Sequence, residues 1–424
     1  MRQAERAKFR DAALRRRRIL TKTKLGPSGM TSYLIAGCRT PIGKLLGGLS
    51  SLSAPQLGAI AIREALARGD VEPSDVDEVI MGNVLQSGVG QAPARQAALG
   101  AGLPPTVAAV TVNKVCGSGL KAVMLADQAI RAGDAQCIVA GGMESMTRAP
   151  HLLPGSRVGF KYGHERLLDA MIHDGLWCPF ENTATGSSAD YIAASRGVSR
   201  EDQDAFALQS HLRALAAMNE GRFTAEIVPV AIAGAKTSTL ISDDEGPRGD
   251  TTLERLAKLR PAFDPSGTVT AGNASQISDG AAAVIVADDD YRRAHPTTTA
   301  FRILAAATSG VPPKEIFIAP VEAVRKCLAK AKLKLQDIDL FEINEAFASQ
   351  TLADVRELGV DLAKVNVHGG AIALGHPIGA SGARVLVTLM YALIDKGLRR
   401  GVASLCLGGG NAVALCIERV EPGE

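Results

Sequence analysis

The chain of 424 residues is too long for one ordinary hydrophobic core, which predicts two or three domains. Apolar residues make up 46% and charged residues 21%, a profile typical of globular proteins, and the net charge of +3 is too small to predict an acidic partner. No apolar run approaches about 18 residues without a polar interruption, so no membrane-spanning helix and no membrane partner are predicted.

Residues 1–29 carry a cationic run, Arg15–Arg18, with few acidic residues beside it. Such a segment is typical of a targeting presequence or of an arm that binds nucleic acid. We favour a third interpretation, a disordered basic tail, because a strand pattern begins only at Tyr33–Ala36. No aromatic residue interrupts the cationic run, so no nucleic-acid partner is predicted.

Seven cysteines are spread along the chain without any C-x-x-C pair, so the sequence predicts neither a zinc ribbon nor a dithiol redox motif. We interpret Cys137, Cys327 and Cys416 as small buried hydrophobic residues. Cysteines without evident disulfide partners favour a reduced, cytoplasmic setting.

Strands alternate with helices in the first half of the chain. Apolar spacing predicts helices at Ser53–Arg68 and Gly117–Ala132, the second one stopped by Gly133. Strands are predicted at Val76–Met81 and at Gln136–Ala140, the latter ending on two glycines. This alternation predicts an α/β fold with a largely parallel sheet.

The same order returns near the C-terminus, with a helix, a strand, a helix and a strand at Val321–Lys332, Ile338–Ile343, Gly382–Lys396 and Ala403–Leu407. Three pairs of positions are equivalent at a nearly constant offset: Asp77 and Asp339, Ser118 and Ser381, and Gly141 and Gly408. Because there are only two copies, we predict a duplicated α/β domain rather than a solenoid.

The segment between the halves is rich in loop signals and contains an amphipathic helix at Arg200–Gly221. A long insertion of this kind usually covers an active site. We therefore predict a first core domain at 30–146 with 276–297, an inserted loop domain at 147–275 that covers the active site, and a second core domain at 298–424.

Two residues suggest nucleophilic catalysis. Cys116 opens the segment Cys116–Leu120, and a thiol at a helix start meets free N–H groups that stabilise thiolate. Taken alone, it could equally be a buried cysteine beside a tight turn. His376 lies in a loop framed by glycines and Pro377, where it could act as a general base or be merely structural.

Two further residues lie where predicted strands end. Cys406 precedes three glycines, so its side chain could be exposed beside backbone N–H groups that face a developing anion, or it could be a core cysteine. Asn344 follows the strand Ile338–Ile343, at an edge where ligands gather. Its amide could hold water or polarise a carbonyl group, and its alternative role is a helix N-cap.

Four segments together resemble the catalytic loops of the thiolase family: Asn113–Leu120, Asn344–Phe347, Gly375–Gly382 and Cys406–Gly410. Further agreement comes from Arg39–Gly43, Gly141–Met146, Lys258–Phe263 and Thr270–Ser275. The resemblance covers about Tyr33 to Glu418 in order. It implies two duplicated core domains in αβαβα layers with an inserted loop domain.

The resemblance also implies an acyltransferase that reversibly condenses or cleaves acyl-CoA thioesters through an acyl group on Cys116. His376 would activate that thiol, and Cys406 would exchange the α-proton. Asn344, through a water, and His376 would stabilise the enolate, while the N–H groups of Cys116 and Gly408 would form the oxyanion hole. Acyl-CoA would be the substrate, no metal or cofactor would be needed, and the chain would form a homodimer or homotetramer.

The resemblance assigns substrate contacts as well. Ser275 would touch the pantetheine of CoA and Arg248 would lie near the nucleotide end, although the first could be a turn residue and the second a solvated charge. Ala271 and Phe347, in matching segments, are also assigned to substrate binding.

One departure from the family pattern affects specificity. Short-chain thiolases usually offer a histidine and a methionine to the acyl pocket, but the segment Glu181–Thr185 has neither. The facing segment Lys314–Ala319, around Ile316, lacks the expected methionine. We assign Thr185 and Ile316 to the acyl pocket, and the acyl-chain length stays open.

Two rival functions are weaker. A ketoacyl synthase-like condensing enzyme would be expected to lack the second cysteine, so Cys406 argues against it. A non-catalytic relative that binds CoA or lipid would have lost a catalytic side chain, and none of the four is missing. Synthesis and degradation share these residues, so the direction of the reaction is not predicted.

Overall fold

The computed structural model describes residues 31–234, 237–295 and 299–420. The predicted basic tail, residues 1–29, lies outside the described residues. The first half contains strands β1 (Ser32–Arg39), β2 (Gly43–Lys44), β3 (Glu78–Gly82), β4 (Ala108–Val112) and β5 (Cys137–Ser145), and helices α1 (Ala54–Arg68), α2 (Pro93–Gly100) and α3 (Ser118–Ala132).

The middle segment contains short strands β6 (His151–Leu152), β7 (Leu168–Asp169), β8 (Trp177–Cys178), β9 (Thr183–Ala184), β10 (Val230–Ala233) and β11 (Ser238–Ile241), and helices α4 (Thr185–Ser195), α5 (Arg200–Asn219) and α6 (Leu253–Ala257). The chain then returns to the core through strand β12 (Ser278–Asp288) and helix α7 (Asp289–Ala294).

The second half contains strands β13 (Ala300–Gly310), β14 (Leu340–Ile343), β15 (Arg400–Leu407) and β16 (Asn411–Val420), and helices α8 (Ala319–Ala331), α9 (Ala348–Leu358), α10 (Ala371–Leu374) and α11 (Ser381–Asp395). Short 3₁₀ helices span Pro73–Asp75, Met146–Arg148, Pro313–Ile318, Leu335–Asp337 and Leu362–Lys364, and a π-helix spans Met171–Leu176. None of the helices in the described ranges is long and apolar enough to cross a bilayer.

The five predicted helices form within two residues of their predicted bounds. Local signals explain this agreement: the Gln56 side chain accepts the Ser53 N–H at the start of α1, and Gly133 ends α3 with a left-handed φ of 82°. Strand β5 differs, because it continues through Gly141 and Gly142 to Ser145 instead of ending on the glycines.

The two duplicated halves contribute their strands to one ten-stranded sheet. Its order is β14-β15-β16-β13-β1-β12-β5-β3-β4, with β2 beside β12. Strands β1 and β13 meet through two residue pairs at the seam. From this seam β1-β12-β5-β3 runs outward on one side and β13-β16-β15-β14 on the other, so the two halves share one strand order and the predicted duplication is confirmed.

The equivalent aspartates make equivalent contacts. Oδ2 of Asp77 accepts the N–H groups of Gln136 and Cys137 at the start of β5. Oδ2 of Asp339 accepts the N–H groups of two residues, Arg399 and Arg400, at the start of β15. The repeat in the sequence therefore reflects a repeated way of anchoring a core strand.

The prediction of a largely parallel sheet is wrong. Strand β3 is parallel to β4 and β5, and β14 is parallel to β15, but the remaining pairs of this sheet are antiparallel. Strand β16 follows β15 directly through a glycine turn, in which Gly409 and Gly410 have φ values of 83° and 85°. The two strands therefore form a hairpin, and the strands of a hairpin are antiparallel.

Three hydrophobic clusters fill the spaces between the helical layers and the sheet. One packs α1 and α2 against the first half of the sheet, and another packs α8 against the second half. Between them, a central cluster joins α3 and α11 to both halves, which gives the αβαβα arrangement. The domain boundaries at 146–147, 275–276 and 297–298 stay a prediction.

The first turns of α3 and α11 touch each other through backbone atoms. A Cβ atom added at Gly119 would lie 2.7 Å from the Ala383 nitrogen, and one at Gly382 would overlap the Leu120 nitrogen. Only glycine permits this approach. It brings together the segments that precede the two helices, which contain Cys116 and His376.

We expect Gly382→Ala to destabilise the fold by about 1–3 kcal/mol or more, because backbone atoms cannot move aside as a flexible side chain can. Gly310→Ala is the matched control, since nothing lies within 4 Å of its added Cβ, and we expect a change within about 0.5 kcal/mol. Urea unfolding of both variants measures the difference. Equal midpoints would contradict the contact between the helix starts.

Candidate active site

Cys116 lies in a strained turn between β4 and α3, two residues before the helix begins. The preceding residue, Val115, has a φ of 46°, which is rare for a β-branched residue. Its carbonyl oxygen accepts the Ser118 hydroxyl at 2.6 Å, and its N–H donates to Asn113 Oδ1 at 3.0 Å. Strain of this kind, about 1–3 kcal/mol, is usually retained where a turn must aim a reactive group.

Burial raises the pKa of the Cys116 thiol to about 12, although hydrogen bonds from the N–H groups of Cys116 and Gly408 lower it. The N–H groups therefore favour thiolate, as expected at a helix start, but burial outweighs them and keeps the thiol protonated at rest. The family resemblance assigned the same two N–H groups to the oxyanion hole. They face the sulfur, where an acyl group would attach.

His376 is held in place by backbone contacts. Its backbone N–H donates to the Gln276 carbonyl at 2.9 Å, and Gly375 before it has a φ of 115°. Nδ1 lies 2.6 Å from the Ser381 hydroxyl. Burial, and then the charge of Arg384, lower the pKa of His376 to about 3. The imidazole is thus neutral and able to accept a proton.

Asn344 is fully buried at the end of β14, where its N–H donates to the Ser404 carbonyl at 3.0 Å. Its Nδ2 lies 3.4 Å from Nδ1 and 3.5 Å from Nε2 of His376. The N-cap alternative is wrong, because α9 begins at Ala348 and Phe347 is its N-cap. The structure therefore brings Asn344 and His376 together.

Cys406 is the penultimate residue of β15 and is buried. Burial is the largest cause that raises the pKa of its thiol well above the ordinary value, and the second cause is the repulsion that Cys116 would exert once ionised. The two cysteines are therefore close enough to interact electrostatically. Cys406 also packs in the cluster that contains Ile316, one of the residues assigned to the acyl pocket.

A surface cleft lies against the middle segment, and Arg248 and Ala271 line it together with His211 and Gln276. The Arg248 N–H donates to Nδ1 of His211 at 3.2 Å. Burial, and then the Arg248 charge, lower the pKa of His211 to about 4, so this ring is a neutral acceptor. Two of the predicted substrate contacts are thus neighbours.

The other predicted contacts lie outside the lining of this cleft. Ser275 is partly buried, and its N–H donates to the Ala346 carbonyl at 3.0 Å. The Phe347 ring packs edge-on against Phe317, with centroids 5.2 Å apart. The Thr185 hydroxyl donates to the Leu176 carbonyl at 2.8 Å.

Comparisons with known proteins agree with this geometry. The thiolase N-terminal domain model matches residues 32–290, and the thiolase C-terminal domain model matches residues 297–419. The chain belongs to the thiolase family. It is 52% identical over 387 residues to an acetyl-CoA acetyltransferase of Pseudomonas aeruginosa, covering 91% of this chain and 98% of the relative. It is also 52% identical over 388 residues to an acetyl-CoA acetyltransferase of Escherichia coli, with the same coverage.

A solved structure gives the same result. The crystal structure of the Bacillus anthracis acetyl-CoA acetyltransferase superposes with a TM-score of 0.91 at 40% identity. The match covers 93% of this chain and all of that one. The thiolase fold inferred from the sequence is therefore confirmed.

Glu144 is a site residue of this thiolase that sequence reasoning did not single out. Its carboxylate accepts the N–H groups of Val84, Leu85 and Gly379 and the amide of Asn83. Burial raises its pKa to about 7, and its negative charge helps to raise the pKa of the Cys116 thiol. By binding Gly379 it ties the His376 loop to the first half of the sheet.

His211 and Arg384 were also missed. His211 carried no signal, since it is a lone histidine in an amphipathic helix. Arg384 did carry one, because it is the only charged side chain between Ser381 and Ile394 in a strongly apolar helix. Across the described residues, no group of three or more His, Cys, Asp or Glu side chains is arranged to hold a metal ion.

We expect the rate at which iodoacetamide alkylates Cys116 to rise about tenfold per pH unit from pH 6 to 9. Below a thiol pKa of about 12 the thiolate fraction grows tenfold per unit, and His376, with a pKa of about 3, stays neutral throughout. Peptide mass spectrometry measures the rate, with Cys116→Ala as the blank. A plateau below pH 8 would contradict a neutral resting site, because it would indicate a thiolate–imidazolium pair.

Proposed function

We propose that this thiolase catalyses the reversible Claisen condensation of two acetyl-CoA molecules to acetoacetyl-CoA and CoA, and the thiolysis of 3-ketoacyl-CoA to acyl-CoA and acetyl-CoA. The observation that carries the proposal is one site in which Cys116 faces two N–H groups, Cys406 lies within electrostatic reach, and neutral His376 contacts Asn344. The names of the relatives, acetyl-CoA acetyltransferases, support the same substrate class.

In the first half-reaction, the Cys116 sulfur attacks the thioester carbonyl while His376 takes the thiol proton. The carbonyl oxygen becomes negative and accepts hydrogen bonds from the N–H groups of Cys116 and Gly408. The bond to the CoA sulfur then breaks, and His376 returns the proton to the departing thiolate. The enzyme is left with an acetyl thioester on Cys116 and a neutral imidazole.

In the second half-reaction, Cys406 passes its proton to His376 and takes the α-proton of a second acetyl-CoA. The enolate oxygen is stabilised by Asn344, through a water, and by the imidazolium. The enolate carbon attacks the acetyl carbonyl, so a C–C bond forms and the C–S bond to Cys116 breaks. The Cys116 thiolate recovers its proton from His376. Thiolysis is the reverse sequence, and neither direction needs a cofactor because a thioester already acidifies its α-protons.

The cleft lined by Arg248 and Ala271 is the proposed entry for CoA. The Arg248 guanidinium and that of the neighbouring Arg255 offer positive charge to the nucleotide phosphates. Ser275 and Phe347 would contact the pantetheine further in, and Thr185 and Ile316 would border the acyl group. Exposed apolar side chains on the middle segment, such as Val158 and Tyr162, support association into a homodimer or homotetramer, which the mass of the purified protein tests. The proposed cytoplasmic setting rests instead on the cysteines without disulfide partners.

We expect Cys406→Ser to separate the two half-reactions. The variant should still become acetylated on Cys116 from labelled acetyl-CoA, within about threefold of the wild-type rate, because Cys406 takes no part in acyl transfer. Exchange of the α-protons in D₂O and condensation should fall by at least about 10²-fold, the lower part of the range that a general base contributes.

Cys327→Ser is the matched control, since Cys327 is equally buried but donates only to the Ala305 carbonyl in the second-half core. It should retain both half-reactions. If Cys406→Ser condensed at nearly the wild-type rate, Cys406 would be a core cysteine and a ketoacyl synthase-like mechanism would return.

A further inference from the structure

The first turn of α11 carries a fully buried serine, Ser381, whose hydroxyl has two short contacts. Its Oγ lies 2.9 Å from the Pro377 carbonyl oxygen and 2.6 Å from Nδ1 of His376. A hydroxyl has one proton, which it can give either to the Pro377 carbonyl, which also accepts the N–H groups of Ala380 and Ser381, or to Nδ1. When the proton goes to Pro377, Oγ is left to accept, and Nδ1 of His376 carries the proton donated to it.

The equivalent serine of the first half makes the same pair of bonds with partners whose roles are fixed. Ser118 Oγ donates to the Val115 carbonyl at 2.6 Å and accepts the N–H of Lys114 at 2.8 Å. A backbone N–H can only donate. Because the two helix starts are duplicated, the bonding of Ser118 supports the same direction at Ser381, whose acceptor is the carbonyl four residues back instead of three.

Arg384, one turn further along α11, fixes the other polar neighbour of the ring. Its Nη2 donates to Oδ1 of Asn344 at 3.3 Å. A guanidinium has no acceptor, so the amide oxygen faces Arg384 and the amide NH₂ faces the edge of the His376 ring, 3.4 Å from Nδ1 and 3.5 Å from Nε2. An NH₂ group only donates, so its acceptor on this ring is the nitrogen without a proton, and that nitrogen is Nε2 when Nδ1 donates to Ser381.

We propose that Ser381 is a positioning residue that holds neutral His376 with its proton on Nδ1, which leaves Nε2 free to accept protons from the thiols. This inference rests on the proposed role of His376 as the base. Neutral histidine in water favours the other tautomer, and the hydrogen bond at one ring nitrogen decides which is present. Without Ser381 the proton would move to Nε2, and Nε2 could no longer accept a proton from the thiols.

The tautomer can be measured directly without substrate. Protein labelled with ¹⁵N-histidine contains seven histidines, and the His376 signals are assigned by their loss in His376→Asn. We expect the wild type to show a protonated Nδ1 and an unprotonated Nε2 at pH 7, and Ser381→Ala to show a protonated Nε2. A protonated Nε2 in the wild type, or an unchanged tautomer in Ser381→Ala, would overturn the proposal.

Kinetics give the second readout. Ser381→Ala should lower kcat for thiolysis of acetoacetyl-CoA by about 10²-fold, as expected for the loss of a correctly poised base, while KM changes by less than about threefold. Thr388→Val is the matched control. It removes a buried hydroxyl from the same helix, one that donates to Glu226 and not to the site, and it keeps the side-chain volume. It should retain wild-type kcat.

The outcomes separate this inference from the function on which it rests. If Cys116→Ala remained active, the proposed function would fail whatever the tautomer of His376. If the wild type carried acetyl on Cys116 but Ser381→Ala kept wild-type kcat, only the positioning role would fail. Should Ser381→Ala not fold, the wild-type spectrum alone still decides the tautomer.

Discussion

The backbone contact between the first turns of α3 and α11 is the constraint on which the rest of the site depends. It requires glycine at 119 and 382, because any side chain there would push the two helices apart. The contact sets the Cys116 turn beside the His376 loop, although the two segments come from different halves of a duplicated chain. It also directs two helix N-termini, the positive ends of their dipoles, toward the place where an oxyanion and an enolate would form.

Burial then favours the neutral forms of the three titratable reactive groups of this site. Desolvation is the largest cause of the pKa shift at Cys116, Cys406 and His376, and in each case it favours the neutral form. The nearest charges act in the same direction: Glu144 raises the pKa of Cys116, and Arg384 lowers that of His376. Negative charge therefore develops mainly on the substrate, where N–H groups already in position stabilise it in a site of low dielectric constant.

The sequence predicted the features that depend on neighbouring residues. Helix bounds followed from apolar spacing and from end signals such as Gly133, and the duplication followed from the repeated order of elements and from equivalent positions such as Asp77 and Asp339. Sheet direction was not predictable, because the alternation of helices and strands does not show that β12 and β16 pair antiparallel with their neighbours. The pKa of Cys116 was not predictable, because the N–H groups that lower it belong to a local turn, whereas the burial that outweighs them comes from distant segments. The partners of Ser381 likewise become visible only once the loop is folded.

In the proposed mechanism one of the two site cysteines, Cys116, carries the acyl group. The most direct test is to mix the enzyme briefly with acetoacetyl-CoA without free CoA, quench it in acid and map the acetyl group by peptide mass spectrometry. Our account predicts an acetyl thioester on the Cys116 peptide that disappears when CoA is added. Acetyl found on Cys406, or rapid turnover with no acetyl on Cys116, would contradict it.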